Sequence, residues 1–199
     1  MANPAPQPAK PARHRTSFLR IIAMLLLTLI ILAGIAVLII WLVIRPKHLI
    51  YTVDEGSIHN FNLSKDHLDS TFDFVIRAYN PNSKVSIYYD KIDVQVDYDD
   101  QILAYNGVQP FFQPHRSMNR LDVQLKAQSV ELFPSVVEDL KLERSSGAVE
   151  LIVRIKARIR FKVGAWRSSH RTLKIFCSPV LVHFSSSNTY ERTFCDAVF

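Results

Sequence analysis

The stretch 149-VELIVRIKARIRFKV-163 alternates apolar and polar residues with a period of two over most of its length. Val153, Ile155, Ala157, Ile159, Phe161 and Val163 share one parity, and Arg154, Lys156, Arg158, Arg160 and Lys162 share the other. Successive side chains of a strand point to opposite faces, so the run predicts a half-buried strand carrying five cations in a row about 27 Å long. On a helix the same residues would be scattered round the axis. The row is suited to an acidic partner; the alternative is a solvated face paired across the sheet with carboxylates such as Asp93, Asp97 and Asp99.

Working outward, the same alternation recurs at Phe72, Phe74, Ile76 and Ala78, at Ile92, Val94, Val96 and Tyr98, and at Leu121, Val123, Leu125 and Ala127. Shorter apolar runs lie at 49–53, 85–89, 102–105, 173–177 and 180–184, with turn chemistry between them at Asn80-Pro81-Asn82, Asn106-Gly107, Pro110, Pro114, Ser145-Ser146-Gly147 and 185–188. Ser135-Val136-Val137-Glu138 has the spacing of a capping box, and Val136, Val137 and Leu140 then share a face, which predicts one short helix. Many strands with one helix predict an all-β, immunoglobulin-like antiparallel β-sandwich over residues 45–199.

Before it lies 21-IIAMLLLTLIILAGIAVLIIWLVI-44, without a charge and with 17 Leu, Ile or Val residues. As a helix it is about 36 Å long, enough to cross a hydrocarbon core of about 30 Å. At about −0.5 kcal/mol for each of those residues, insertion is favoured by about 8 kcal/mol. A cleaved signal peptide is the rival reading, with Gly34-Ile35-Ala36 as the small-residue site. Cleavage there would leave eight apolar residues, 37–44, at a new N-terminus, so an uncleaved signal anchor is expected. Residues 1–20 hold Lys10, Arg13, Arg15 and Arg20 and no acid, against Arg45 and Lys47 beyond the span, which predicts a cytosolic N-terminus. With prolines at 4, 6, 8 and 11, that tail is expected to be extended.

The net charge of +6 divides accordingly. Four of the basic residues sit in the tail, leaving 20 basic against 18 acidic residues for the remainder, so no nucleic-acid partner is expected. No G-x-G-x-x-G, P-loop, H-E-x-x-H, G-x-S-x-G or C-x-x-C occurs, and the seven histidines never take ligand spacing. The chain is therefore expected to have no catalytic residue, no metal and no cofactor. Asp90, Asp93, Asp97, Asp99 and Asp100 could approach a Ca²⁺ if two loops converged, but the parity of Asp93, Asp97 and Asp99 assigns them to a wet strand face. Outside the cytosol Cys177 and Cys195 are expected to join, the alternative being two buried thiols. Asn62-Leu63-Ser64 is a sequon, making Asn62 a candidate for N-glycosylation.

The basic tail, the single anchor, Asn80-Pro81-Asn82, Val85-Ser86-Ile87-Tyr88-Tyr89-Asp90, Phe111-Phe112-Gln113-Pro114 and the run from Arg158 to Gly164 followed by Trp166 and Cys177 closely resemble the plant NDR/HIN-like family. That family carries the late-embryogenesis-abundant group-two domain, related to the water-stress and hypersensitive-response domain. The resemblance implies a β-sandwich held at the plasma membrane, acting in plant defence and stress responses as a cell-surface interaction or signalling module. Its alternatives are a desiccation protectant of membranes or proteins, or a lipid-binding or tethering module. A protein, a cell-wall polysaccharide or an anionic lipid is the expected class of ligand, alongside the bilayer itself. Some members are held by a C-terminal lipid anchor; the CDAVF ending carries no hydrophobic tail, so none is expected here. Asn80-Pro81-Asn82 is expected to act as a turn, with Pro81 holding Asn80 extended.

Overall fold

The structure, a computed structural model, describes residues 14–44, 47–184 and 190–199. The chain divides into two units, Met1–Arg45 and Pro46–Phe199. In the first, helix α1 spans His14–Ile44. It begins seven residues before the expected span, so 14–20 are helical rather than extended: the last proline is Pro11, and nothing after it breaks a helix. The prolines of the tail lie outside the described residues. From Phe18 to Ile39 every side chain is exposed, a continuous apolar surface long enough to cross a membrane.

The second unit is all-β with one helix. Its elements are β1 (Ile50–Ser64), β2 (His67–Asn80), β3 (Val85–Tyr98), β4 (Gln101–Val108), β5 (Phe111–Gln113), β6 (Ser117–Glu131), α2 (Pro134–Ser146), β7 (Ala148–Val163), β8 (Trp166–Arg167), β9 (Arg171–His183) and β10 (Thr193–Val198). All pairings are antiparallel, in the order β4-β3-β7-β9-β10-β1-β2-β6, with β5 on β3 and β8 on β7. The two layers of the expected sandwich are thus one continuous sheet folded over until its ends approach. Side chains bridge those ends where no ladder does: Gln101 Nε2 donates to Glu131 O at 2.7 Å, Asn106 Nδ2 to Gln124 O at 2.8 Å, and Phe133 N to Gln101 Oε1 at 3.0 Å.

Inside lie the apolar residues of the alternating runs, among them Phe72, Phe74, Ile76, Ile87, Val96, Leu125, Val153, Ile159 and Leu173, all at most 1 % exposed. Gly56 suits this packing, because a Cβ there would stand 3.0 Å from Tyr190 Cε2 and 3.2 Å from Val182 Cγ2, and those side chains would have to give way. Helix α2 covers one end through Val136, Val137 and Leu140. It starts at Pro134, not after a Ser135 cap. Phe133 is the N-cap and makes no side-chain cap bond, while Pro134 fits the first turn because the N–H it lacks has no helical partner there. Gly147, at φ 90°, ends it.

Asp97 departs from the wet face expected for it and is fully buried. A register shift between Val96 and Asp97 in the β3–β4 pairing breaks the parity there. Its carboxylate is compensated by Arg154 Nη1 at 3.0 Å and by Gln95 Nε2 at 3.1 Å.

Asn80-Pro81-Asn82 ends β2 and opens the connection to β3, where Asn80 and Asn82 are buried and act as a clasp. Asn82 accepts from Lys47 N at 2.7 Å and donates to Lys47 O at 3.0 Å, reproducing with one carboxamide the pairing a strand neighbour would supply. Asn80 Nδ2 donates to Val85 O at 2.8 Å and Pro114 O at 3.1 Å, while its Oδ1 accepts from Asn82 N and Nδ2. All four hydrogen-bonding sites of the Asn80 carboxamide are thereby used, and three chain segments are tied together. Next to it Gln113, also fully buried, donates to Ala78 O at 2.8 Å and accepts from the Tyr89 hydroxyl at 3.1 Å, which contacts the Tyr51 hydroxyl at 2.5 Å.

Two predictions follow from these buried amides and phenols. Asn80→Asp replaces two donors with a carboxylate facing the carbonyls of Val85 and Pro114, and should destabilise the unit by about 3 kcal/mol in urea unfolding of the full chain; an unchanged midpoint would refute the clasp. Burial pushes the Tyr89 phenol up to about 12 from 10.0, and burial together with Tyr89 raises Tyr51 well above its ordinary value. Between pH 10 and 12 the unfolded chain has released protons that the folded chain retains, so stability should fall as pH rises through that window. In Tyr89→Phe, unfolding measured across the same window should show a shallower fall.

Candidate interaction face

β7 lies between β3 and β9, and its outward residues are the five cations of the stripe. They do not behave alike. Arg160 is held by two hydrogen bonds to Asp90, at 2.8 and 2.5 Å, with its guanidinium 5.5 Å from the Tyr88 ring centre. Those bonds hold the Asp90 carboxyl below the usual carboxylate range, and His170 Nε2 lies 3.4 Å from it. Arg154 is occupied by Asp97 at 3.0 Å and Asp100 at 3.4 Å and stands 5.5 Å from the Phe176 ring centre. Lys162 Nζ lies 5.6 Å from the Phe112 ring centre.

The middle of the stripe is different. Lys156 is in register with Lys174 of β9, and Arg158 with Lys91 of β3. Lys91 Nζ is bonded to Asp93 at 2.7 Å. Lys156, Arg158 and Lys174 make no ion pair among the described residues. Asp93 stands opposite Lys156 on the β3 side, and Arg158 helps hold the Asp90 carboxyl low, but Lys156 against Lys174 and Arg158 against Lys91 remain like charges directly opposite one another, which is destabilising.

A cavity of about 650 Å³ opens on the outside of the sheet over the Lys156–Lys174 rung and the Arg154 rung beside it, with Lys91 and Arg158 outside its lining. Register places its walls. One rung runs Gly107, Asp93, Lys156, Lys174 and Val198 across β4, β3, β7, β9 and β10; the next runs Tyr105, Gln95, Arg154, Phe176 and Asp196. Tyr105 is 80 % exposed and Phe176 42 %, one on each side of the cleft. Gly107 adds no side chain, and a Cβ there would meet nothing closer than Ile92 O at 3.8 Å, which keeps the β4 side open.

Tyr105, Phe176 and Lys174 are the residues that sequence reading leaves out. Phe176 is concealed within the apolar run 173–177, yet its parity opposes that of Leu173, Ile175 and Cys177, which are buried. That parity was the available signal. The meeting of five strands was not available, because β4 and β10 are far from β7 in the chain.

The other predicted positions lie elsewhere. Cys177 and Cys195 form a disulfide between directly opposed residues of β9 and β10, with Cα atoms 4.2 Å apart. It closes a loop of separation 18 and stabilises by about 3 kcal/mol. Asn62 is exposed on β1, close to the β1–β2 turn. Asp99 and Asp100 form the β3–β4 turn with φ of 44° and 59°.

Residues 75–178 match the family model described as "Late embryogenesis abundant protein". An uncharacterized protein of Arabidopsis thaliana, At1g08160, is 35% identical, with 97% of this chain and 96% of that protein covered. NDR1/HIN1-like protein 3 of the same plant is 30% identical over 91% of this chain and 81% of its own length, and NDR1/HIN1-like protein 10 is 28% identical over 84% and 75%. The matched segment runs from mid-β2 to the disulfide cysteine of β9, and so takes in both the Asn80-Asn82 clasp and the cationic strand. The chain belongs to the late embryogenesis abundant family of plant stress and defence proteins that includes the NDR1/HIN1-like proteins.

Proposed function

We propose that the chain is a non-enzymatic, single-pass plasma-membrane protein of plant defence and stress responses. Residues 1–20 lie in the cytosol, 21–44 cross the bilayer as a signal anchor, and 45–199 stand outside the cell as an interaction module. The observation that carries this reading is the Cys177–Cys195 disulfide. Such bonds persist in oxidising compartments and are rare in the cytosol, so it favours an extracytosolic barrel behind an apolar helix. The excess of basic residues before the helix agrees with that orientation. Kinship with NDR1/HIN1-like proteins supports the role in defence and stress. An interaction module also accords with a folded-over sheet whose outer face carries Lys156 and Lys174, without ion pairs among the described residues, beside exposed aromatic rings.

In sealed microsomes a C-terminal tag should resist protease until detergent is added; immediate digestion would overturn the topology. Glycosylation of the exposed Asn62 is part of the same reading. Asn62→Gln should increase gel mobility to that of the glycosidase-treated chain, whereas identical mobility of treated, untreated and substituted chains would show that the sequon is unused. Cys177→Ser should abolish the mobility difference between reduced and non-reduced samples and lower stability by about 3 kcal/mol.

A further inference from the structure

We infer that the cleft across β4, β3, β7, β9 and β10 is a binding site for an acidic oligosaccharide, one carrying a carboxylate on successive sugar rings. The inference rests on the extracytosolic placement proposed above, and it names the ligand class of the interaction face.

Three observations converge on it. First, the cleft sets Lys156 directly against Lys174, neither of them in an ion pair among the described residues, and Asp93, which also lines it, is bonded to Lys91. A fold has no stability reason to keep like charges in direct register on a face where neutral residues would serve, and an anionic ligand removes the repulsion. Second, the neighbouring rung presents two exposed rings, Tyr105 and Phe176, on either side of the concavity, alongside Gln95, Arg154 and Asp196. Sugar rings have an apolar C–H face and a polar rim, and a cleft that sets exposed aromatic rings among charged and amide side chains suits that division. Third, polar side chains of both kinds stand at the edges. Gln95 and Asp196 line the cleft with Arg154, and Asp196 makes no ion pair among the described residues, so acceptors as well as donors are present for hydroxyl groups.

This combination separates the candidate ligands. An acidic peptide would use the cations but has no need of two flat, exposed rings flanking them. A lipid taken up whole would need a deep apolar channel for its chains, whereas this cleft is open on the outer surface of the sheet. Lysines, compact charges on flexible stems, fit carboxylates spaced along a chain better than a single bidentate site would.

The test uses the full chain in detergent micelles, without divalent cations, and three probes: oligogalacturonate, its fully methyl-esterified and therefore neutral form, and oligoglutamate. Oligogalacturonate should bind at low ionic strength, weaken as salt is raised, and bind at least tenfold more tightly than the other two. The double variant Lys156→Gln/Lys174→Gln should lose at least tenfold in that affinity while its thermal midpoint stays level or rises. Tyr105→Ala/Phe176→Ala should weaken both saccharides and leave oligoglutamate unchanged. Equal binding of oligoglutamate, indifferent to the ring substitutions, would overturn the inference in favour of an acidic protein partner. A fall in thermal midpoint for the lysine variant would assign the pair a structural role and also overturn it. Should no saccharide bind although the C-terminal tag is protease-protected, the inference fails by itself and the extracytosolic reading stands.

Discussion

The register of β7 between β3 and β9 is the constraint on which the rest of the barrel depends. One residue of slip would carry Arg154, Lys156, Arg158, Arg160 and Lys162 into the core and expel Val153, Ile155, Ala157 and Ile159. Burying a charge without a partner costs several kcal/mol, so five such burials would exceed the whole stability of a domain this size. The alternation therefore does more than favour a strand. It fixes which face of β3 and β9 turns inward, and through them the sense of the whole sheet.

Closure of that sheet brings a second requirement. A ten-stranded sheet folded over leaves edge strands, β4 and β6, whose backbone groups need partners. Gln101 and Asn106 supply them from side chains, and Asn80, Asn82 and Gln113 do the same where the chain enters the barrel and where β5 meets β6. Buried amides suit this task because each offers donors and acceptors without a net charge, and a satisfied network specifies one arrangement. The segments that an antiparallel ladder leaves open are thus joined by carboxamides, and Asn80, Asn82 and Gln113 are buried at such joints.

Much of this was legible from local pattern. The strands β2, β3 and β7 follow their alternation, the apolar helix follows from composition, and α2 follows from Val136, Val137 and Leu140, although its start is set by Pro134 and not by a serine cap. What the pattern hides is non-local. The apolar run 49–53 marks only the first part of β1, which continues through polar residues to Ser64 because β2 pairs with it throughout. Asp97 reads as a surface residue until a register shift and Arg154 account for its burial. Asn80-Pro81-Asn82 reads as a turn, since nothing local reveals that Lys47 and Pro114 will be its partners. The cleft is hidden for the same reason: Tyr105, Lys156, Phe176 and Asp196 meet only when five strands are set in register.

That register admits a direct measurement. Cysteines introduced at Lys156 and Lys174, which face each other across β7 and β9, can be tested with a short thiol-to-thiol crosslinker, the native disulfide being left intact. The account predicts rapid linkage of this pair and none between cysteines at Lys156 and Ile175, which lie on opposite faces of the sheet. Linkage of the second pair in preference to the first would mean that β7 is slipped by one residue, and the face described here would not exist.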